Sequence, residues 1–151
     1  MPQSLSQIWL HLVFSCKNRR AFLRAPDFRK EMCCMLAHNV KEMGAISAGV
    51  GGWEDHVHLA VGLPRTLTVA NLVQGIKCET SKWAKEAKHG NRLFAWQAGY
   101  GVFSVSHADL PQVLNYISTQ DEHHAKLTYQ EEFRQICERH GVVVDERYVW
   151  D

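Results

Sequence analysis

The chain has 151 residues, of which 46% are hydrophobic and 22% charged, with only 4 prolines and 10 glycines. That balance fits a single globular domain over residues 1–151 and argues against disorder, collagen-like repeats and low-complexity polymer. The net charge of +1 conceals an asymmetry, because residues 1–100 carry 13 Lys/Arg against 7 Asp/Glu whereas residues 101–151 carry 4 against 9. The basic part can face a polyanion, although clusters such as Lys17, Arg19, Arg20 and Arg24, or Lys77, Lys82, Lys85, Lys88 and Arg92, are more often solvated helix faces. No apolar run approaches the roughly 20 residues that span a bilayer, and Met1 to Leu5 shows no signal-peptide pattern, so the expected address is cytoplasmic. The cysteines (Cys16, Cys33, Cys34, Cys78, Cys137) are odd in number and form no C-x-x-C pair, so they read as reduced small hydrophobes.

In chain order, Ile8 to Phe14 is rich in β-branched and aromatic residues and predicts a strand. Ala25-Pro26-Asp27 opens a helix whose Phe28, Met32, Met35, Leu36, Val40 and Met43 recur at spacings of three and four up to Gly44. Ala45–Val50 and His56–Leu63 predict two adjacent antiparallel strands. Thr68 precedes Val69, Leu72, Val73 and Ile76, a periodic stretch that predicts a second helix to about Ala87. Phe94–Gln97 and Gly101–Val105 predict short extended pieces around Gly99, followed by one helix from Leu110 to Ala125 and another from about Thr128 to Arg139. Val142–Trp150 predicts a final strand. The order β-α-β-β-α-β is the ferredoxin-like plan of the α+β class: an antiparallel sheet with helices on one face and the other face free for a site.

The chemistry concentrates in two places. Strand side chains alternate, so His56 and His58 project to one side while Val57 enters the core, and two imidazoles on one strand face can bind one divalent ion. On the helix predicted for Leu110–Ala125, Tyr116 and Gln120 stand one turn apart, with His123 and His124 a further turn along. Either unit alone has a plain structural reading, as surface histidines or an amphipathic tyrosine.

Together the ordered set resembles the single-tyrosine HUH transposases of the insertion-sequence-200-like family, in the branch associated with repetitive extragenic palindromes. The resemblance rests on Leu10-His11-Leu12-Val13-Phe14-Ser15 with Lys17 and Arg19, on Asp55-His56-Val57-His58-Leu59, on Phe94 to Ser106, and on Tyr116 to His124. It implies a metal-dependent, single-strand-specific DNA endonuclease and strand transferase. His56, His58 and Gln120 would hold Mg²⁺ or Mn²⁺, and Tyr116 would be the nucleophile. It also implies a homodimer whose tyrosine helix serves its own or its partner's site, and recognition of DNA hairpins beside the cleavage point.

Phenol is largely protonated at pH 7, with a pKa of about 10, so Tyr116 needs assistance to attack a phosphodiester. His123 or His124 could replace or supplement Gln120, and Asp55 could approach the ion. Tyr100 and Tyr129 are rival nucleophiles without a helical amide partner, and His11 reads as a core histidine. Arg19, Arg20, Lys77, Lys82 and Lys85 are the expected phosphate contacts, while Trp96 and Phe103 are stacking platforms or core. Two rival functions compete: a ferredoxin-like nucleic-acid-binding module without catalysis, and a two-histidine phosphoesterase, whose second H-x-[ST] element is missing.

Overall fold

A computed structural model describes residues 2–88 and 90–151. Its elements are β1 (Trp9–Ser15), α1 (Pro26–Glu42), β2 (Ile46–Gly52), β3 (His56–Gly62), α2 (Val69–Glu86), β4 (Gly101–Val105), α3 (Leu110–Ser118), α4 (Gln120–His124) and α5 (Tyr129–Arg139). The strands form one four-stranded antiparallel sheet in the order β2-β3-β1-β4, which is the ferredoxin-like arrangement expected from the element order.

Local chemistry sets the helix ends. Pro26 begins α1, and Gly44, at φ 83°, supplies the left-handed residue that lets the chain turn into β2. The Thr68 hydroxyl accepts from the Asn71 amide to cap α2, and Thr128 with Glu131 forms a reciprocal capping box on α5.

Alternation sorts the strands onto two faces. Leu12, Phe14, Val57, Leu59 and Val61 point to one side and pack against Phe28, Met32, Leu36 and Val40 of α1 and Leu72, Val73 and Ile76 of α2. The opposite face carries His11, Val13, Ser15, His56, His58 and Ala60. Here the expectation of a free face is corrected: Ala60 is covered by Leu110 and Ile117 of α3, and Val13 by Tyr129, Phe133 and Ile136 of α5. A bare sheet face bearing Val13, Ala60 and Phe103 would expose apolar area, and burying it under the C-terminal helices removes that cost.

Three further expectations change. The helix predicted for Leu110–Ala125 is interrupted at Thr119 (φ −114°, ψ 34°), whose hydroxyl donates to the carbonyl of Asn115. Phe94–Gln97 is not a strand but makes a single antiparallel bridge from Trp96 to Cys16. Val142–Trp150 is not a strand either. Asp145 accepts from the backbone and side chain of Arg147 and bends the tail, so that Val149 and Trp150 pack beside α5.

Candidate active site

The site lies on the second sheet face, beneath α3, α4 and α5. His56 and His58, fully buried, project there from β3, as the alternation predicted. Facing them from α5 is Glu132, 1% exposed, whose Oε1 lies 3.1 Å from His56 Nε2, 2.9 Å from His58 Nε2 and 3.4 Å from His124 Nε2. From α4, Gln120 places Oε1 3.3 Å from His56 Nε2 and 3.1 Å from His124 Nε2. Tyr116, on α3, donates its phenolic hydrogen to Glu132 Oε2. Thus Tyr116, Gln120, His56 and His58 converge within one chain, and His124 and Glu132 join them. His123 does not: it stacks on the Tyr116 ring and its Nε2 meets the Thr119 hydroxyl at 3.1 Å.

Close approach of α3 depends on β2. Gly49 and Gly51 occupy the site face of that edge strand, where a Cβ on Gly51 would run into the carbonyl oxygen and side chain of Ile117, and one on Gly49 into Leu114. Two missing side chains therefore let the helix that carries Tyr116 settle on the sheet.

The electrostatics follow from burial and from this web of partners. Burial opposes the charged form of His56, but hydrogen bonds to Asp55 (2.7 Å) and Glu132 outweigh it and raise its pKa. In His58 burial wins over the same carboxylate and the pKa falls. Burial alone would raise the Glu132 carboxyl, yet hydrogen bonds from His124, His56 and His58 hold it well below the usual range, so it is an anion. Burial, followed by the neighbouring Glu132 charge, holds the Tyr116 phenol above its ordinary value.

The donor set suits a divalent ion. One ligand atom each from His56, His58 and Glu132 lie within 4.8 Å of one another. The His56 and His58 contacts to Glu132 match the separation of about 3 Å between adjacent ligands of an octahedral ion with bonds of about 2.1 Å. Asp55 accepts from His56 Nδ1, which leaves Nε2 as the ligand atom, the carboxylate–histidine arrangement that orients metal-binding imidazoles.

A family model described as "Transposase IS200 like" matches residues 4–120. The chain belongs to the IS200-like transposase family. No curated protein sequence matches it. Among solved structures, a candidate transposase from Deinococcus radiodurans R1 is similar with a TM-score of 0.59 at 20% identity, covering 78% of this chain and 95% of its own. A REP-associated tyrosine transposase bound to a REP hairpin has a TM-score of 0.59 at 14% identity, covering 84% of this chain and 76% of its own. Both share the fold of this transposase.

The matched segment ends at Gln120, and Glu132 lies beyond it. Sequence reasoning missed Glu132, although a signal existed. Tyr129, Phe133, Ile136 and Cys137 form the buried stripe of α5, and Glu132 falls inside that stripe, where a carboxylate must be paired.

The rival tyrosines are otherwise engaged. Tyr129 is buried, its hydroxyl donating to Gln97 Oε1 at 3.3 Å and its ring against His56, and Tyr100 sits under the Lys77 ammonium. Trp96 and Phe103 are core, with the Trp96 indole donating to the Thr80 hydroxyl. Among the expected phosphate contacts, Arg19 and Arg20 follow β1 at the end where Ser15 pairs with His56. Lys82 and Lys85 are exposed on α2, against the other sheet face, with Lys82 3.6 Å from Glu79. Lys77 is half-buried and donates to the carbonyls of Gln97 and Gly99, with burial lowering its pKa to about 8.

Proposed function

We propose that this transposase cleaves single-stranded DNA and rejoins it to a new end, with Tyr116 as nucleophile. The observation that carries this reading is the convergence of the Tyr116 hydroxyl, through Glu132, on the buried His56–His58 pair. The Tyr116 oxygen attacks phosphorus and the bond to the 3′ oxygen breaks, leaving a 5′-phosphotyrosine and a free 3′-hydroxyl. The phosphodiester is retained as an ester to the enzyme, so another 3′-hydroxyl can reverse the step without ATP.

His56, His58 and Glu132, with Gln120 and His124 alongside, would hold Mg²⁺ or Mn²⁺. Such an ion supplies charge neutralisation at the non-bridging phosphate oxygens and alignment of the scissile bond. Glu132 Oε2 already accepts the Tyr116 hydrogen, so it is the group placed to receive the proton as the oxygen bonds to phosphorus. Asp55 fixes the His56 ring, and His56, His58, Gln120 and Glu132 are buried between the sheet and the C-terminal helices.

Hairpin-bearing DNA is the proposed substrate, with Arg19 and Arg20 as phosphate contacts near the site and Lys77, Lys82 and Lys85 as more distant ones. A homodimer would bring together two complete sites, because Tyr116 reaches the histidines of its own chain.

The test is incubation with hairpin-bearing single-stranded DNA from the flanks of the gene, in Mg²⁺ or Mn²⁺, followed by a search for a covalent protein–DNA adduct. Wild type should form it. Tyr116→Phe should bind the DNA but form none, since it loses one oxygen and keeps the ring. Wild-type adduct levels in Tyr116→Phe would move the nucleophile to Tyr100 or Tyr129. Hairpin binding by wild type with no adduct would favour a non-catalytic binding module.

A further inference from the structure

His11 has no role in the chemistry above, yet it is 6% exposed and its Nε2 lies 2.9 Å from Nδ1 of His58. The two rings are stacked with centroids 5.1 Å apart, held by the β1–β3 register that pairs His11 with Ala60 and Val13 with His58. A nitrogen–nitrogen hydrogen bond needs one donor and one acceptor, so the tautomer of either ring dictates that of the other.

Without an ion, the Glu132 carboxylate 2.9 Å from His58 Nε2 can only accept, so His58 Nε2 carries hydrogen toward it. His58 Nδ1 is then an acceptor and His11 Nε2 its donor. An ion bound by His58 Nε2 needs the lone pair there, so the hydrogen must sit on Nδ1 and His11 Nε2 must accept it. The pair accomplishes this without changing its charge. His58 Nε2 gives up its proton, the shared hydrogen moves from His11 Nε2 to His58 Nδ1, and His11 Nδ1 takes a proton from solvent. A route exists for that proton: His11 lines a cavity of about 360 Å³ with Asn115, Tyr116, His123, Arg139 and His140, and its Nδ1 has no protein partner among the described residues.

We propose that His11 is a positioning residue for the ion site, which holds His58 in the Nδ1-protonated tautomer when the ion is bound, as Asp55 does for His56 with a carboxylate. This inference rests on the ion-binding reading of His56, His58 and Glu132.

Two measurements on the full chain test it. In long-range ¹H–¹⁵N spectra of wild type, added Mg²⁺ should move the hydrogen of His58 from Nε2 to Nδ1 and that of His11 from Nε2 to Nδ1. A His11 ring that stays Nε2-protonated when Mg²⁺ is bound overturns the proposal without any mutation. Mn²⁺ titrations then compare variants: His11→Leu should weaken binding by roughly 10–100-fold, the range for lost partners of metal-binding histidines, and His11→Gln, whose amide can accept from His58, should recover most of it. Equal Mn²⁺ affinity in wild type and folded His11→Leu overturns the role of His11 and leaves the ion site standing. Absence of saturable Mn²⁺ binding in wild type overturns both.

Discussion

Leu12 and Leu59 face each other across β1 and β3 and are buried among the side chains of α1 and α2; one residue along, Val13 and His58 pair in the same register on the opposite face. The same two strands therefore build two different media. The α1–α2 side is apolar apart from the buried Trp96–Thr80 hydrogen bond and contributes burial, at roughly 25 cal/mol per Å² of apolar surface. The α3–α5 side buries His11, His56, His58, Gln120 and Glu132 as one hydrogen-bonded web, in which each polar group costs desolvation unless partnered. The difference teaches that stability and chemistry are separated here by a period of two residues. Conserving the register keeps them apart.

The largest break of that separation comes from His56→Ala. It should abolish both divalent-ion binding and the DNA adduct, read by Mn²⁺ titration and by gel, and a chelator should abolish the adduct in wild type reversibly. Leu59→Ala, on the other face, should instead cost about 2–5 kcal/mol in urea denaturation, with the ion affinity of the folded protein changed far less than in His56→Ala. Comparable ion loss in the two variants would show that the faces are not independent.

A third experiment uses pH on metal-free protein. Burial, reinforced by His58, lowers the His11 pKa from 6.5 to about 3. Between those values the unfolded chain binds a proton that the folded chain refuses, so His11 makes stability fall as pH drops from 6.5 toward 3, by about 1.4 kcal/mol per unit at most. Urea midpoints of His11→Gln should decline more shallowly with acid than those of wild type. Parallel curves would mean that His11 is protonated in the folded state. The smallest expected effect is that of Gly51→Ala, whose Cβ would press on the Ile117 carbonyl. It should cost about 1–3 kcal/mol and slow adduct formation by displacing α3 and Tyr116, whereas Gly44→Ala, remote from α3, should affect stability alone.

Legibility in the sequence divided along the same line as the two faces. Strands β1 and β3, helices α1 and α2 and the shared orientation of His56 and His58 followed from periods of 2 and 3.6, because those patterns are local and are set by which side must meet the core. The ordered motifs from Leu10 to His124 carried the family, since they fix residue types in sequence. What the sequence left open needed contacts across the chain. Glu132 stands 74 residues from His58 and reaches it only because α5 folds back over the sheet. The break at Thr119 replaced one continuous helix by two, and Gln120 and His124, on the second, meet His56 only across the packed sheet. The pairing of His11 with His58 was hidden for the same reason: 47 residues separate them, and only the register of β1 on β3 brings the two rings within a hydrogen bond. Periodicity decides which way a side chain points, and only tertiary packing decides what it meets there.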